Sequence, residues 1–114
     1  MKASMAELMR RLPGKVSAKW PDGERFVEAI AHGSMTVELY APVGADPQGP
    51  HPQDELYFIQ AGRGELVIAD VRHAFAPGDA FFVAPGVAHR FEHFSKDFAA
   101  WATFWGPRGG EADA

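Results

Sequence analysis

The sequence predicts an all-β sandwich or barrel preceded by a short N-terminal arm or helix. Three observations point there. The 114 residues include 12 glycines and 9 prolines, which suits many short elements separated by tight turns. Apolar segments of strand length recur at short intervals, bounded by turn sequences such as Asp22-Gly23, Pro77-Gly78-Asp79 and Pro85-Gly86. The apolar share of 46% supplies one modest core, so a single domain is expected.

Along the chain, "MAELMRRL" is either a short helix with Leu8, Met9 and Leu12 on one side or a loosely docked arm, and Pro13-Gly14 ends it. "WPDGERF" is a turn. "FVEAIAH" and "SMTVELYAP" flank Gly33 as two strands or one bent strand, with Val37, Leu39 and Ala41 alternating against Thr36, Glu38 and Tyr40. "PVGADPQGPHPQ" is a long irregular loop of the kind that usually carries function or is disordered. "ELYFIQAG" is a strand, and "GELVIADV" is expected to return from the "AGRG" turn as the second arm of a hairpin. Three further strands follow: one before Pro77-Gly78-Asp79, an apolar one after it, and "HRFEHF" beyond Pro85-Gly86. "FAAWATFWG" is the last strand. The expected organisation is an arm over 1–25, a barrel over 26–107 and a flexible tail over 108–114.

Composition narrows the function classes. Cysteine is absent, so neither a disulfide framework nor a thiolate metal site is available. The formal net charge of −4, with both signs dispersed, offers no basic stripe for nucleic acid. The N-terminus lacks the unbroken apolar centre of a signal peptide, and no apolar run reaches the length of a membrane span, so the expected location is cytoplasmic. "GRG" precedes no helix and is not a nucleotide loop. The turn glycines Gly62, Gly64, Gly78 and Gly86 serve backbone freedom.

The candidate chemistry lies in His51, Glu55 and His89. Side chains two apart on a strand share a face, so Glu55 and Tyr57 point the same way, and an inward His51 brings Gln53 with it while the chain stays extended. His89 enters a later strand after "VAPGVA". Two imidazoles and one carboxylate on one face of a barrel form a metal site with open positions. His93 shares the face of His89 but stands roughly 13 Å further along, too far for the same ion and close enough to line a pocket. Simpler readings stand beside these. His51 is a polar residue at a loop–strand junction, Glu55 a surface strand residue or a partner for Arg63 or Arg90, Tyr57 a core residue, Gln53 a loop polar group and His93 a hydrogen-bonded structural histidine. His32 and His73 read as exposed.

These residues also carry a family resemblance. "HPQDELYFIQAG" supplies the second histidine, the acid and the closing glycine of G-x5-H-x-H-x3-4-E-x6-G as His51, Glu55 and Gly62. "GDAFFVAPGVAHRFEH" supplies Gly78, Gly86 and His89 of G-x5-P-x-G-x2-H-x3-N. Over Thr36 to Trp105 the chain resembles a small single-domain cupin, which implies a double-stranded β-helix, or jelly-roll, barrel. Its departures from the pattern include Gly49 where the leading histidine belongs, Ala84 before a displaced Pro85, and His93 in place of the terminal asparagine.

The resemblance implies one divalent ion, iron(II), manganese, nickel or zinc, held by His51, Glu55 and His89. It also implies an enzyme acting on an oxygen-bearing small molecule, dioxygenase-like first and isomerase or lyase next, with Gln53, Tyr57 and His93 as pocket candidates and the catalytic residues unassigned. The alternative is a non-catalytic module binding a sugar or other small molecule. A homodimer is expected, built through the last strand or the segment from Phe26 to Tyr40, with neither nucleic acid nor membrane as a partner.

Overall fold

In the computed structural model, which describes residues 1–112, one short helix and eight strands follow in order. They are α1 (Met5–Met9), β1 (Phe26–His32), β2 (Met35–Tyr40), β3 (Asp54–Ala61), β4 (Gly64–Ile68), β5 (Val71–Phe75), β6 (Ala80–Val83), β7 (His89–Glu92) and β8 (Ala99–Trp105). Every strand pairing is antiparallel. One sheet has the order β1-β2-β8-β3-β6 and the other the order β5-β4-β7. The two sheets share one core, and the expected all-β jelly-roll barrel is what forms.

Alternation sorts the strand residues between the faces. Tyr57 and Ile59 of β3, Leu66 of β4, Phe75 of β5, Val83 of β6, Phe91 of β7 and Ala100, Ala102 and Phe104 of β8 meet between the sheets. Phe91 is the hub: its ring centroid lies 4.6 Å from Phe98, 5.0 Å from Tyr57 and 5.7 Å from Phe75. Burying each such ring contributes about 1.5–3 kcal/mol, with aromatic pairing adding to it.

"MAELMRRL" does form a helix over its first half, and the helix is docked. Leu8 is buried against Leu39, Ala41 and Ala99 on the outer face of the larger sheet. This changes the meaning of the alternation in β2. Val37, Leu39 and Ala41 look like the core-facing set, yet Leu39 and Ala41 lie under the helix, while Tyr40 turns to the main core. Both faces of β2 are covered at this end.

Two strand expectations need correction. The "AGRG" segment does not close a hairpin, because β3 pairs with β6 and β8 whereas β4 pairs with β5 and β7. The chain crosses from one sheet to the other there. "GELVIADV" is likewise interrupted: Ala69 and Asp70 both take positive φ, 48° and 66°, making the tight two-residue turn from β4 to β5. Neither residue is a glycine or asparagine, so the usual sign of that turn is missing.

Of the expected tail, residues 108–112 are described and 113–114 lie outside the described residues. The Gly109 N–H donates to the Pro52 carbonyl at 2.8 Å and the Glu111 N–H to Asp54 Oδ2 at 2.9 Å. No helix among the described residues is long and apolar enough to cross a membrane.

Candidate functional site

The loop from Ala41 to Gln53 lies against the barrel and is pinned by one buried acid. Asp46, 5% exposed, accepts hydrogen bonds from the Tyr40 hydroxyl, the Gln48 side-chain amide (2.6 Å) and the Phe91 backbone N–H (2.9 Å). Gln48 in turn accepts from the Tyr57 hydroxyl at 2.9 Å. A buried carboxylate requires such satisfaction, and here it ties the loop to both sheets. Burial, with Asp46 alongside, raises the Tyr40 hydroxyl well above the ordinary phenol range. Burial, with Glu55 alongside, does the same for Tyr57. Both tyrosines stay protonated.

Between loop and barrel lies a cleft of about 290 Å³, lined by Lys19, Trp20, Phe26, Glu38, Tyr40, Gln48, Gly49, Pro50, His51, Glu55 and Phe104. A second cleft of about 240 Å³, bounded by Gln48, Pro50, Val67, Asp70, Ala88, His89 and Arg90, shares Gln48 and Pro50 with the first. Glu55 and His51 open to the first, and His89 to the second.

The structure brings Glu55 and His89 together. Glu55 Oε1 stands 3.0 Å from His89 Nε2, with both side chains almost wholly buried. The separation is that of a hydrogen bond, but the approach is not aligned as one, and both atoms lack a hydrogen-bond partner. His89 Nδ1 lies 2.9 Å from the Val87 carbonyl. A carbonyl only accepts, so Nδ1 carries a proton. In a neutral ring, Nε2 then presents a lone pair to the carboxylate. Burial pushes the imidazolium of His89 down, but the Glu55 carboxylate and the Val87 carbonyl push it up by more, and the net shift is upward. Neither simpler reading of Glu55, as a surface strand residue or as a partner for Arg63 or Arg90, holds, since Glu55 is 1% exposed and its neighbour is His89.

His51 stands beside this pair but is oriented otherwise. Its ring stacks on Phe104 at 3.8 Å between centroids, and its Nδ1 accepts the Gln53 backbone N–H at 3.2 Å. The neutral ring therefore carries its proton on Nε2. Burial lowers its pKa, against the opposing pull of Glu55. Among the described residues no three histidine or carboxylate groups converge on a single point. Gly49 borders the cleft, and a Cβ built there meets no atom within 4 Å, so the place of the missing histidine is open space.

The pocket candidates divide. Tyr57 is fully buried beneath the cleft, bonded to Gln48. Gln53 turns away, donating to the carbonyls of Gly106 (2.9 Å) and Ser34 (3.3 Å). His93 lies outside the cleft: β7 ends at Glu92, His93 takes φ 53°, and its exposed ring meets Glu65 at 2.6 Å. The face-sharing argument for His93 fails because the strand stops before reaching it.

Sequence reasoning missed Glu38, Asp46, Gln48 and Trp20. Glu38 shares a strand face with Tyr40, and that alternation was its available signal. It has no ion-pair partner among the described residues, and burial together with Glu55 and Glu28 pushes its carboxyl up to about 7.

Comparison with known proteins places this geometry. The chain is 36% identical over 84 residues to "Uncharacterized protein SCO3923" of Streptomyces coelicolor, covering 72% of this chain and 80% of that one. KdgF from a Halomonas species superposes with a TM-score of 0.63 at 15% identity, covering 73% of this chain and 78% of that one, a likeness of fold alone. The DMSP lyase DddQ from Ruegeria pomeroyi superposes with a TM-score of 0.64 at 27% identity over 82% of this chain, which spans about half (52%) of that protein. The family model for the Cupin domain matches residues 36–105, from β2 through β8. With two facing antiparallel sheets and a buried acid–histidine pair contributed by the two motifs, the chain belongs to the cupin domain family.

Proposed function

We propose that the protein is a metal-dependent cupin enzyme of lyase or isomerase type, acting on an oxygen-bearing small molecule bound in the cleft beside Glu55. The observation that carries this reading is the Glu55–His89 contact: two buried acceptor atoms 3.0 Å apart, neither of them hydrogen-bonded. Two lone pairs facing each other at that distance repel unless a cation or a proton joins them. The Val87 carbonyl holds His89 in the tautomer that a metal ligand needs.

The residues present fit a divalent ion through Glu55 and His89 as they stand. His51 completes the set once its hydrogen bond from Gln53 is given up. The two imidazoles and one carboxylate suit iron(II), manganese, nickel or zinc. When bound, the ion supplies Lewis-acid polarisation of a substrate oxygen. The protein's own groups shape the rest: the Asp46-anchored loop walls the cleft, Phe104 orients His51, and Glu38, on the same sheet as Glu55, lines the cleft with a carboxyl poised near neutrality, where a general base is most effective. Lyase or isomerase chemistry is preferred to dioxygenase chemistry because of the likeness to the DMSP lyase.

Elemental analysis of purified and reconstituted protein is expected to find about one divalent ion per chain, lost in His89→Ala. Metal-free protein after reconstitution would overturn the reading. A non-catalytic binding module is the second reading, favoured by the engaged Nδ1 of His51 and by glycine at position 49. A ligand-induced thermal shift that needs no metal, without turnover, would select it.

A further inference from the structure

The cleft beside Glu55 is walled by aromatic rings set at angles to one another. Trp20 stands 6.0 Å from Phe26 at 57° and 6.1 Å from Tyr40 at 78°, and Phe104, backed by His51, completes the lining. Trp20 is 9% and Tyr40 4% exposed, so these rings are fixed in the fold. Into the same space face two carboxylates, Glu38 and Glu55, and Glu28 stands opposite Glu38 in the β1–β2 ladder. Glu55 already has His89 at 3.0 Å, whereas Glu38 pairs with no cation among the described residues. Lys19, on the exposed rim, is the one permanently positive residue in the lining.

Like charges gathered on an apolar wall repel one another, and a counter-charge from outside relieves them. Aromatic faces meeting at an angle attract a cation through their quadrupoles, most strongly when the cation carries methyl groups in place of a tight hydration shell. An ammonium that kept its water would gain less there. Anionic substrates, by contrast, would meet two carboxylates and no arginine.

We propose that the cleft recognises a small organic cation of the onium class, with the positive centre beside Glu38 and against the cleft side of the mutually packed Trp20 and Tyr40 rings. This assignment rests on the reading of the cleft as a substrate site, but not on the metal. The test is calorimetric titration of the intact protein, in metal-free and metal-reconstituted form, with choline and with its uncharged carbon isostere 3,3-dimethyl-1-butanol. Choline is expected to bind about tenfold or more tightly than the isostere in the metal-free protein. Glu38→Gln, which keeps the shape, is expected to bring the two affinities within about threefold of each other. Trp20→Leu is expected to weaken choline more than the isostere. Should Trp20→Leu fail to fold, Glu38→Gln decides alone. Equal affinities in the parent protein, preference for the isostere, or no binding of either probe would overturn the proposal. Choline preference in a protein that never takes up metal would remove the metal reading and leave this one standing.

Discussion

Glu38 shows what one side chain at this site costs the fold. Its carboxyl is pushed up to about 7 by burial, with the charges of Glu55 and Glu28 adding to it, whereas in an unfolded chain it would ionise near its ordinary 4.5. Between those two values the folded state holds a proton that the unfolded state has released. Stability therefore falls as pH rises from about 4.5 to about 7 and levels off above. At about 1.4 kcal/mol per unit, the full shift corresponds to about 3 kcal/mol, and partial solvent screening lowers it. Glu38→Gln is expected to be more stable than the parent by about 1–3 kcal/mol near pH 8 and to show no gain near pH 4. Urea denaturation of the metal-free proteins at both pH values measures this, and a pH-independent difference would refute the assignment. A variant that gains stability while losing choline preference would mark Glu38 as a residue kept for binding.

Among the elements, the crossing from β3 to β4 constrains the barrel most tightly. Gly62 takes φ 88°, and a Cβ there would lie 2.6 Å from the Phe98 Cα and 2.8 Å from its N, both backbone atoms that cannot swing aside. Gly78 has a similar φ of 94° but open space around it. Gly62→Ala is expected to cost about 2–4 kcal/mol, strain and overlap together, and Gly78→Ala only about 1–2 kcal/mol, for the conformation alone. Chemical denaturation of the pair checks the order, and equal losses would show that the close approach to Phe98 does not matter. The same crossing shows what was legible in the sequence. Glycines, prolines and strand-length apolar runs announced the strands, and motif spacing set Glu55 and His89 at the entrances of two of them. Partnership between strands was not legible: "AGRG" has the composition of a hairpin turn, and only the packing of residues 94–98 beneath it sends the chain to the other sheet. The orientation of His51 depends on a backbone N–H two residues away and on Phe104 from the last strand, which no local pattern encodes. Glu38 was hidden because α1 covers the outside of β2, so an apolar stripe no longer marked the inside.

For the molecule as a whole, the two ends of the larger sheet are treated differently. Helix α1 covers its outer face over β1, β2 and β8, which removes the Leu39 side of the segment from Phe26 to Tyr40 as a surface for a partner. Over β3 and β6 no helix among the described residues plays that part. Phe58 is 47% and Phe82 54% exposed, Phe82 lies opposite Leu56 in the ladder, and its ring is 6.3 Å from Trp105 of the last strand. β6 is also the edge of its sheet, with one row of backbone groups unpaired by any strand. An apolar face beside an open edge is an aggregation hazard unless it is covered, and closed two-fold pairing is the simplest cover for a chain this small. A homodimer joined through Phe58, Phe82 and Trp105 is therefore expected, with a mass of about 25 kDa by light scattering against 12.4 kDa for one chain. Phe82→Lys places a charge on the outer face, where half of the ring is already in water, so it should shift the mass toward the single chain while leaving the denaturation midpoint of the barrel nearly unchanged. A parent protein that scatters as 12.4 kDa at every concentration would refute the dimer. A Phe82→Lys variant that stays dimeric would move the interface to the β1 edge.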